Sequence, residues 1–152
     1  EADLAIRMTR FEGNELISRR IATAASALYA SENYVAAHGT PEAIVTVLED
    51  QAHLPESRWL QSCAPGARVA LRTNSRSAQL NAVRAGLGVA CLPCILADGV
   101  PGVVRLAGAG NGPEREIWLG VHTDLRHMPR VRAVIDALEK TFAEFRSRLV
   151  GD

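Results

Sequence analysis

Between Arg72 and Pro93 the spacing of apolar residues changes from helical to continuous. Leu80, Val83 and Leu87 recur at helical spacing, with Ala78, Ala82 and Ala85 filling the gaps, so the pattern predicts a helix able to lie close against a sheet. Gly86 and Gly88 end it. Val89, Ala90, Cys91 and Leu92 then form a short, wholly apolar run, as expected of a strand covered on both faces, and Pro93 closes it. Strand, turn, helix and strand make this stretch a βαβ unit. Asn74, Ser75 and Ser77 stand where the helix begins. They can cap free backbone N–H groups or offer hydroxyls and amides to an anion in front of the helix dipole.

Elsewhere the pattern is shorter in range. Asp3 to Arg7 reads as a strand, and Phe11 to Glu15, with Gly13 and Asn14, as the turn after it. Leu16 to Tyr29 supplies one or two strands. Ser31 caps a short helix that stops at Gly39, with His38 on its last turn. Thr40 as cap, Pro41 in the first position and Glu42 in the first turn predict a second helix running to about Gln51, with Ile44, Val47 and Leu48 on its buried face. Pro55 to Gly66 has no clear period and is expected to be loop, with a short strand at Arg58 to Leu60. Ala107 to Pro113 is a surface turn whose lone G-x-G has no following helix, so it is not a nucleotide loop. Ile117 to His122 reads as a strand. Pro129 opens a helix whose apolar stripe, Val131, Val134, Ile135, Leu138, Phe142, Phe145 and Leu149, is about five turns long.

The 152 residues suit one domain or two small lobes, and 47% apolar composition is ample for a core. Net charge is zero and no cluster of Lys and Arg forms a stripe, so this piece is not expected to bind DNA by itself. Lys140 is the sole lysine among 17 basic residues, which reads as the codon bias of a GC-rich bacterial genome. No apolar run approaches the ~20 residues needed to span a bilayer, and no basic leader with a cleavage site opens the chain, so a cytoplasmic protein is expected.

Three cysteines, an odd number, argue against a disulfide framework. Cys91 and Cys94 have the spacing of a redox pair, but the first ends a buried strand instead of standing exposed at a helix start. They are read as small apolar fillers, reduced and inert. A metal set with His122 and His127 would lack a second close pair. No metal or cofactor is expected. No G-x-S-x-G elbow surrounds Ser75 or Ser77, so neither is read as a nucleophile. Arg7 ends the first strand and Arg72 precedes the capping turn. Strand carboxyl ends of an open α/β sheet face the ligand crevice, although a surface ion pair is the alternative for each. Arg146 and Arg148 read as a solvated helix end.

Four segments resemble, in order, the effector-binding domain of LysR-type transcriptional regulators. They are EADLAIR (Glu1 to Arg7) with LISRRIA (Leu16 to Ala22), ALYASENYVAAHGTP (Ala27 to Pro41), the N-S…VRAGLGVAxLP pattern ending at Pro93, and VVRL (Val103 to Leu106) followed by REIWLGVHTDLRHMPRVRAVIDALEKTF. The similarity covers nearly the whole chain. It implies an α/β, two-lobed periplasmic-binding-protein-like (type II) fold, with a small effector between the lobes and two crossing strands joining them. Residues 1–26 and 117–152 would form lobe I and residues 27–116 lobe II. Relative to the family, lobe I would lack its leading βαβ unit, and the linker helix and winged helix-turn-helix would also be absent.

The resemblance implies a non-enzymatic sensor of a small anionic metabolite that controls transcription. The expected effector contacts are Thr73, Asn74, Ser75, Arg7, Arg72 and Pro93. The expected partners are the effector, further copies of the chain in a dimer or tetramer, and DNA only through a helix-turn-helix. A solute-binding protein of a transport system is the alternative reading, and a redox enzyme using the cysteine pair is a third.

Overall fold

The computed structural model describes residues 2–152. In chain order the elements are β1 (Leu4–Arg7), β2 (Leu16–Ser31), α1 (Glu32–Ala37), β3 (Ala43–Thr46), α2 (Pro55–Cys63), β4 (Arg68–Arg72), α3 (Arg76–Arg84), β5 (Ala90–Pro93), α4 (Cys94–Ala97), β6 (Val103–Arg105), β7 (Glu114–His122), α5 (Pro129–Glu144) and α6 (Arg146–Val150), with short 3-10 turns at Glu49–Gln51 and Ala107–Ala109. They divide into two compact units. The first holds the described residues up to Ala24 with Glu114–Val150 and Asp152, and the second holds Ala25–Pro113 with Gly151.

In the first unit β7 lies between β1 and β2, with Leu4 opposite Val121 and Arg7 opposite Trp118 in antiparallel register. Period-2 alternation along β7 puts Leu119 and Val121 on the face that meets α5, where they form a core with Val131 and Ile135. Leu4, Ile17, Ile21 and Leu138 pack around it. On α5 the apolar stripe is wider than the surface that is covered. Val134 is 50% exposed and Phe145 37% exposed. The expected five-turn helix is also interrupted: Phe145 leaves helical geometry, with ψ 6°, and α6 restarts after it to bury Leu149.

The second unit is built on the latter part of β2, in which Ala25 to Ser31 are all buried. Alternation sends Ala25, Ala27 and Tyr29 into one cluster with Val45, Val83 and Leu92, and Leu28 and Ala30 into another with Tyr34, Ile44, Leu60 and Val89. A strand with both faces buried carries apolar residues without polar alternation. β5 and β6 pair with β2 in antiparallel register. β3 runs parallel to β4, and on its other side Val45 donates to Val89 O at 2.9 Å while Val89 donates to Ala43 O at 2.9 Å. That parallel bridge needs Gly88, where a Cβ would stand 2.5 Å from Ala43 O.

Two sequence expectations are corrected here. The helix expected from Thr40 to Gln51 is strand β3 followed by a 3-10 turn. Ala43, Ile44, Val45, Thr46 and Val47 are five consecutive buried residues, and the β-branched side chains of the last four suit a strand covered on both sides. The helical start signals at Thr40 to Glu42 were overridden by that burial. Conversely, residues expected to be loop or a short strand form α2, with Pro55 in its first turn and Leu60 only 2% exposed. Its period was hidden because two of its buried positions are polar, Glu56 and Ser57. A smaller correction concerns Leu87. It lies beyond the end of α3 and is 39% exposed, so it is not part of the helix's buried face.

Candidate functional site

β3 and β4 are parallel, and β5 follows the parallel bridge at Val89, so the carboxyl ends of all three reach one edge of the second unit. Arg72 and Pro93 end their strands there, and Thr73, Asn74 and Ser75 carry the chain from β4 into α3. The turn is held by its own polar groups. Thr73 N–H donates to Thr46 O at 2.9 Å, and Thr73 Oγ1 accepts from Ser75 N–H at 3.2 Å. Ser75 is the N-cap of α3, its Oγ accepting from Ala78 N–H at 3.3 Å. Gln79, one turn on and 1% exposed, donates to Thr73 O at 2.6 Å and accepts from Arg76 at 2.9 Å.

Asn74 is engaged at both ends of its amide. Its Oδ1 accepts from Leu48 N–H at 2.9 Å, and its Nδ2 donates to the Asp50 carboxylate at 3.2 and 3.3 Å. It ties the end of β3 to the start of α3. Arg72 is ion-paired with Glu49 at 3.1 Å and donates to Val47 O at 3.3 Å. Because the Thr73 and Ser75 oxygens already accept backbone N–H bonds, what this edge can offer a ligand is their O–H donors and the N–H groups that open α3, flanked by the carboxylates of Glu49 and Asp50.

Pro93 is half-buried and leads directly into α4. Arg7 belongs to the first unit. There its guanidinium folds back onto Thr9 O at 3.0 Å and Arg10 O at 2.7 Å and lies 4.0 Å from the Phe11 ring centroid. These contacts engage the Arg7 guanidinium within its own segment. Sequence reasoning missed Gln79, Glu49 and Asp50. Gln79 was legible in principle, as a polar residue four positions after the cap on a face otherwise apolar. The two acids were not, because they were assigned to a helix.

The three cysteines are unlinked thiols, with Cys91 5% and Cys94 1% exposed. Burial, assisted by the nearby Glu56 carboxylate, pushes the Cys91 thiol up to about 12. Cys94 opens α4 but is buried there. A raised pKa leaves little thiolate at neutral pH, the opposite of what a reactive cysteine needs. Among the described residues no cluster of three or more His, Cys, Asp and Glu could hold a metal, and no helix is long and apolar enough to cross a membrane.

Comparison with known proteins places this arrangement. The family model described as LysR substrate binding domain matches residues 1–143. Among solved structures, the regulatory domain of CrgA, a LysR-type transcriptional regulator from Neisseria meningitidis, is similar at TM-score 0.70 and 19% identity, covering 91% of this chain and 74% of that one. The regulatory domain of the C227S variant of AphB from Vibrio vulnificus gives TM-score 0.65 and 21% identity, covering 88% and 76%. Full-length AphB from Vibrio cholerae gives 0.67 and 18%, and this chain spans 50% of its length. At these identities the structures establish fold alone, the type II periplasmic-binding-protein-like fold of LysR substrate-binding domains. No curated protein matches the sequence. The family match supersedes the transport and redox-enzyme readings: the chain belongs to the LysR substrate-binding domain family, the effector-binding regulatory domain of LysR-type transcriptional regulators and not an enzyme.

Proposed function

We propose that the effector is a small organic acid and that the carboxyl edge of β3, β4 and β5 forms one wall of its site. The observation that carries this reading is the α3 N-terminus with Thr73 and Ser75 hydroxyls beside it. First-turn N–H groups and the positive end of the helix dipole favour a negative group. Arg72, neutralised by Glu49, contributes little net charge, so hydroxyls and backbone N–H groups are the principal recognition elements. Asn74 holds the wall in shape by joining Leu48 and Asp50 to the turn. Pro93 shapes the same edge.

In this reading the first unit is lobe I and the second lobe II. Sensing then requires the acid to bind one lobe arrangement better than another, since a ligand of equal affinity for both shifts nothing. The whole regulator acts in the bacterial cytoplasm as a dimer or tetramer and reaches DNA through a helix-turn-helix.

A thermal-shift screen of small carboxylates against the protein and its Thr73→Val and Ser75→Ala variants tests the site. Acids that raise the melting temperature of the parent are expected to lose most of that effect in both variants, while matched amides have none. Equal stabilisation of parent and variants would contradict the assignment.

A further inference from the structure

The turn that leads from β6 into β7 is set by one close approach. Gly112 lies against β2, where a Cβ would stand 2.0 Å from Ser26 O and 2.9 Å from the Trp59 ring. Beside it, Ser26 N–H donates to Pro113 O at 3.0 Å. No side chain fits at position 112, so the fold itself demands glycine there. The residue before it is Asn111, and Asn111 is exposed.

That pairing carries a chemistry of its own. The backbone nitrogen that follows an asparagine can attack the side-chain carbonyl and close a five-membered ring. What ordinarily prevents it is crowding by the next side chain, or hydrogen bonds that hold the reacting atoms apart. Neither brake operates at Asn111. Gly112 has no side chain, and among the described residues neither the Asn111 amide nor the Gly112 N–H makes a hydrogen bond.

Comparable positions in the chain are restrained. The other four asparagines precede Glu15, Tyr34, Ser75 and Ala82. Asn74, ahead of the small Ser75, is bonded at both ends of its amide, to Leu48 N–H and to Asp50. Asp98 does precede a glycine, but its carboxylate accepts from the Tyr29 hydroxyl at 2.7 Å and pairs with Arg105. Among the described residues only Asn111 combines a glycine neighbour with a free amide.

We propose that Asn111 is a site of spontaneous covalent modification, converted to aspartyl and isoaspartyl residues. The Gly112 nitrogen loses its proton and bonds to Asn111 Cγ, and the side-chain nitrogen leaves as ammonia, giving a cyclic imide. Water then opens the ring at either carbonyl. One opening leaves an ordinary aspartate, and the other routes the main chain through Cβ and Cγ. Both products place a negative charge beside Glu114, where β7 begins. The isoaspartyl form also lengthens the main chain directly ahead of Gly112, which has no slack against Ser26 O, so the Ser26–Pro113 bond is the one it disturbs.

Incubation of the folded protein at mildly alkaline pH, followed by tryptic mass spectrometry, tests it. The peptide of residues 106–115 is expected to gain the mass of an amide-to-acid exchange, about ten-fold or more faster than the peptide of residues 73–76, which carries Asn74. The rate is expected to climb with pH, because the attacking nitrogen must lose its proton. An isoaspartyl-specific methyltransferase should label the same peptide. Asn111→Gln, at an exposed position, should abolish both signals, since its longer side chain would have to close a larger ring. In the isoaspartyl fraction the Ser26 amide should exchange with deuterium faster than in unmodified protein. Conversion of residues 106–115 in the unfolded chain but not in the folded one would overturn the proposal, as would equal rates at Asn74 and Asn111.

Discussion

At the scale of single residues, the turn from β4 into α3 and the buried thiol make separate demands. Ser75→Ala removes the cap from Ala78 N–H and should cost about 0.5–2 kcal/mol of unfolding free energy, measured by urea titration, independently of any ligand. Gly88→Ala places a Cβ against the Ala43 carbonyl with no flexible neighbour to give way. A loss of about 1–3 kcal/mol or more is expected, and an unchanged urea midpoint would show that β3 and Val89 are not in the register described. The Cys91 thiol is raised from about 9 to about 12, so between those values the folded chain binds more protons than the unfolded one. Its contribution is complete below pH 9 and lost as pH climbs toward 12, with a slope of up to about 1.4 kcal/mol per pH unit. Tyr29, raised chiefly by burial, adds a slope of the same sign. Cys91→Ala should flatten the alkaline limb without abolishing it. Native Cys91 should also react slowly with iodoacetamide and rapidly once unfolded.

At the scale of elements, legibility followed how many forces agreed. The β4–α3–β5 unit was readable because cap, period, glycine stop and apolar run all point the same way. The segment Ala43 to Val47 was misread because good helix-start residues precede a run of β-branched side chains, and local capping is worth less than burying five consecutive residues. Helix α2 escaped notice because its inner face mixes Glu56 and Ser57 with Leu60, and polarity at buried positions erases the hydrophobic period. The candidate site shows the same division. The helix cap at Ser75 is legible in the sequence, whereas the bonds that engage Asn74 and Arg72 depend on where residues 47 to 50 fold. Leu60→Ala should be among the more damaging changes in the second unit, about 2–5 kcal/mol, because Leu60 is 2% exposed in its core cluster.

At the scale of the molecule, stability is distributed unevenly between the two units. The largest fully buried side chains, among them Tyr29, Leu28, Leu60, Leu92, Val45 and Val83, all belong to the second unit. The first unit's core is the smaller cluster around Leu119, Val121, Val131 and Ile135, and it leaves Ile6, Met8, Val134 and Phe145 exposed. Local opening free energy follows buried contacts, so amides of β5 and α3 should exchange last and those of β1 and α5 earlier. This asymmetry could not be read from composition, since the apolar stripe of α5 is as regular as that of α3. What differs is how much of each stripe another element covers.

Hydrogen–deuterium exchange with and without a carboxylate that raises the melting temperature is the most direct measurement of the central claim, that the β3–β4–β5 edge binds the effector. Binding there is expected to slow exchange from Thr73 to Gln79 and from Leu48 to Asp50, and the Ser75→Ala variant should lose that protection. Protection confined to residues away from both segments would contradict the account.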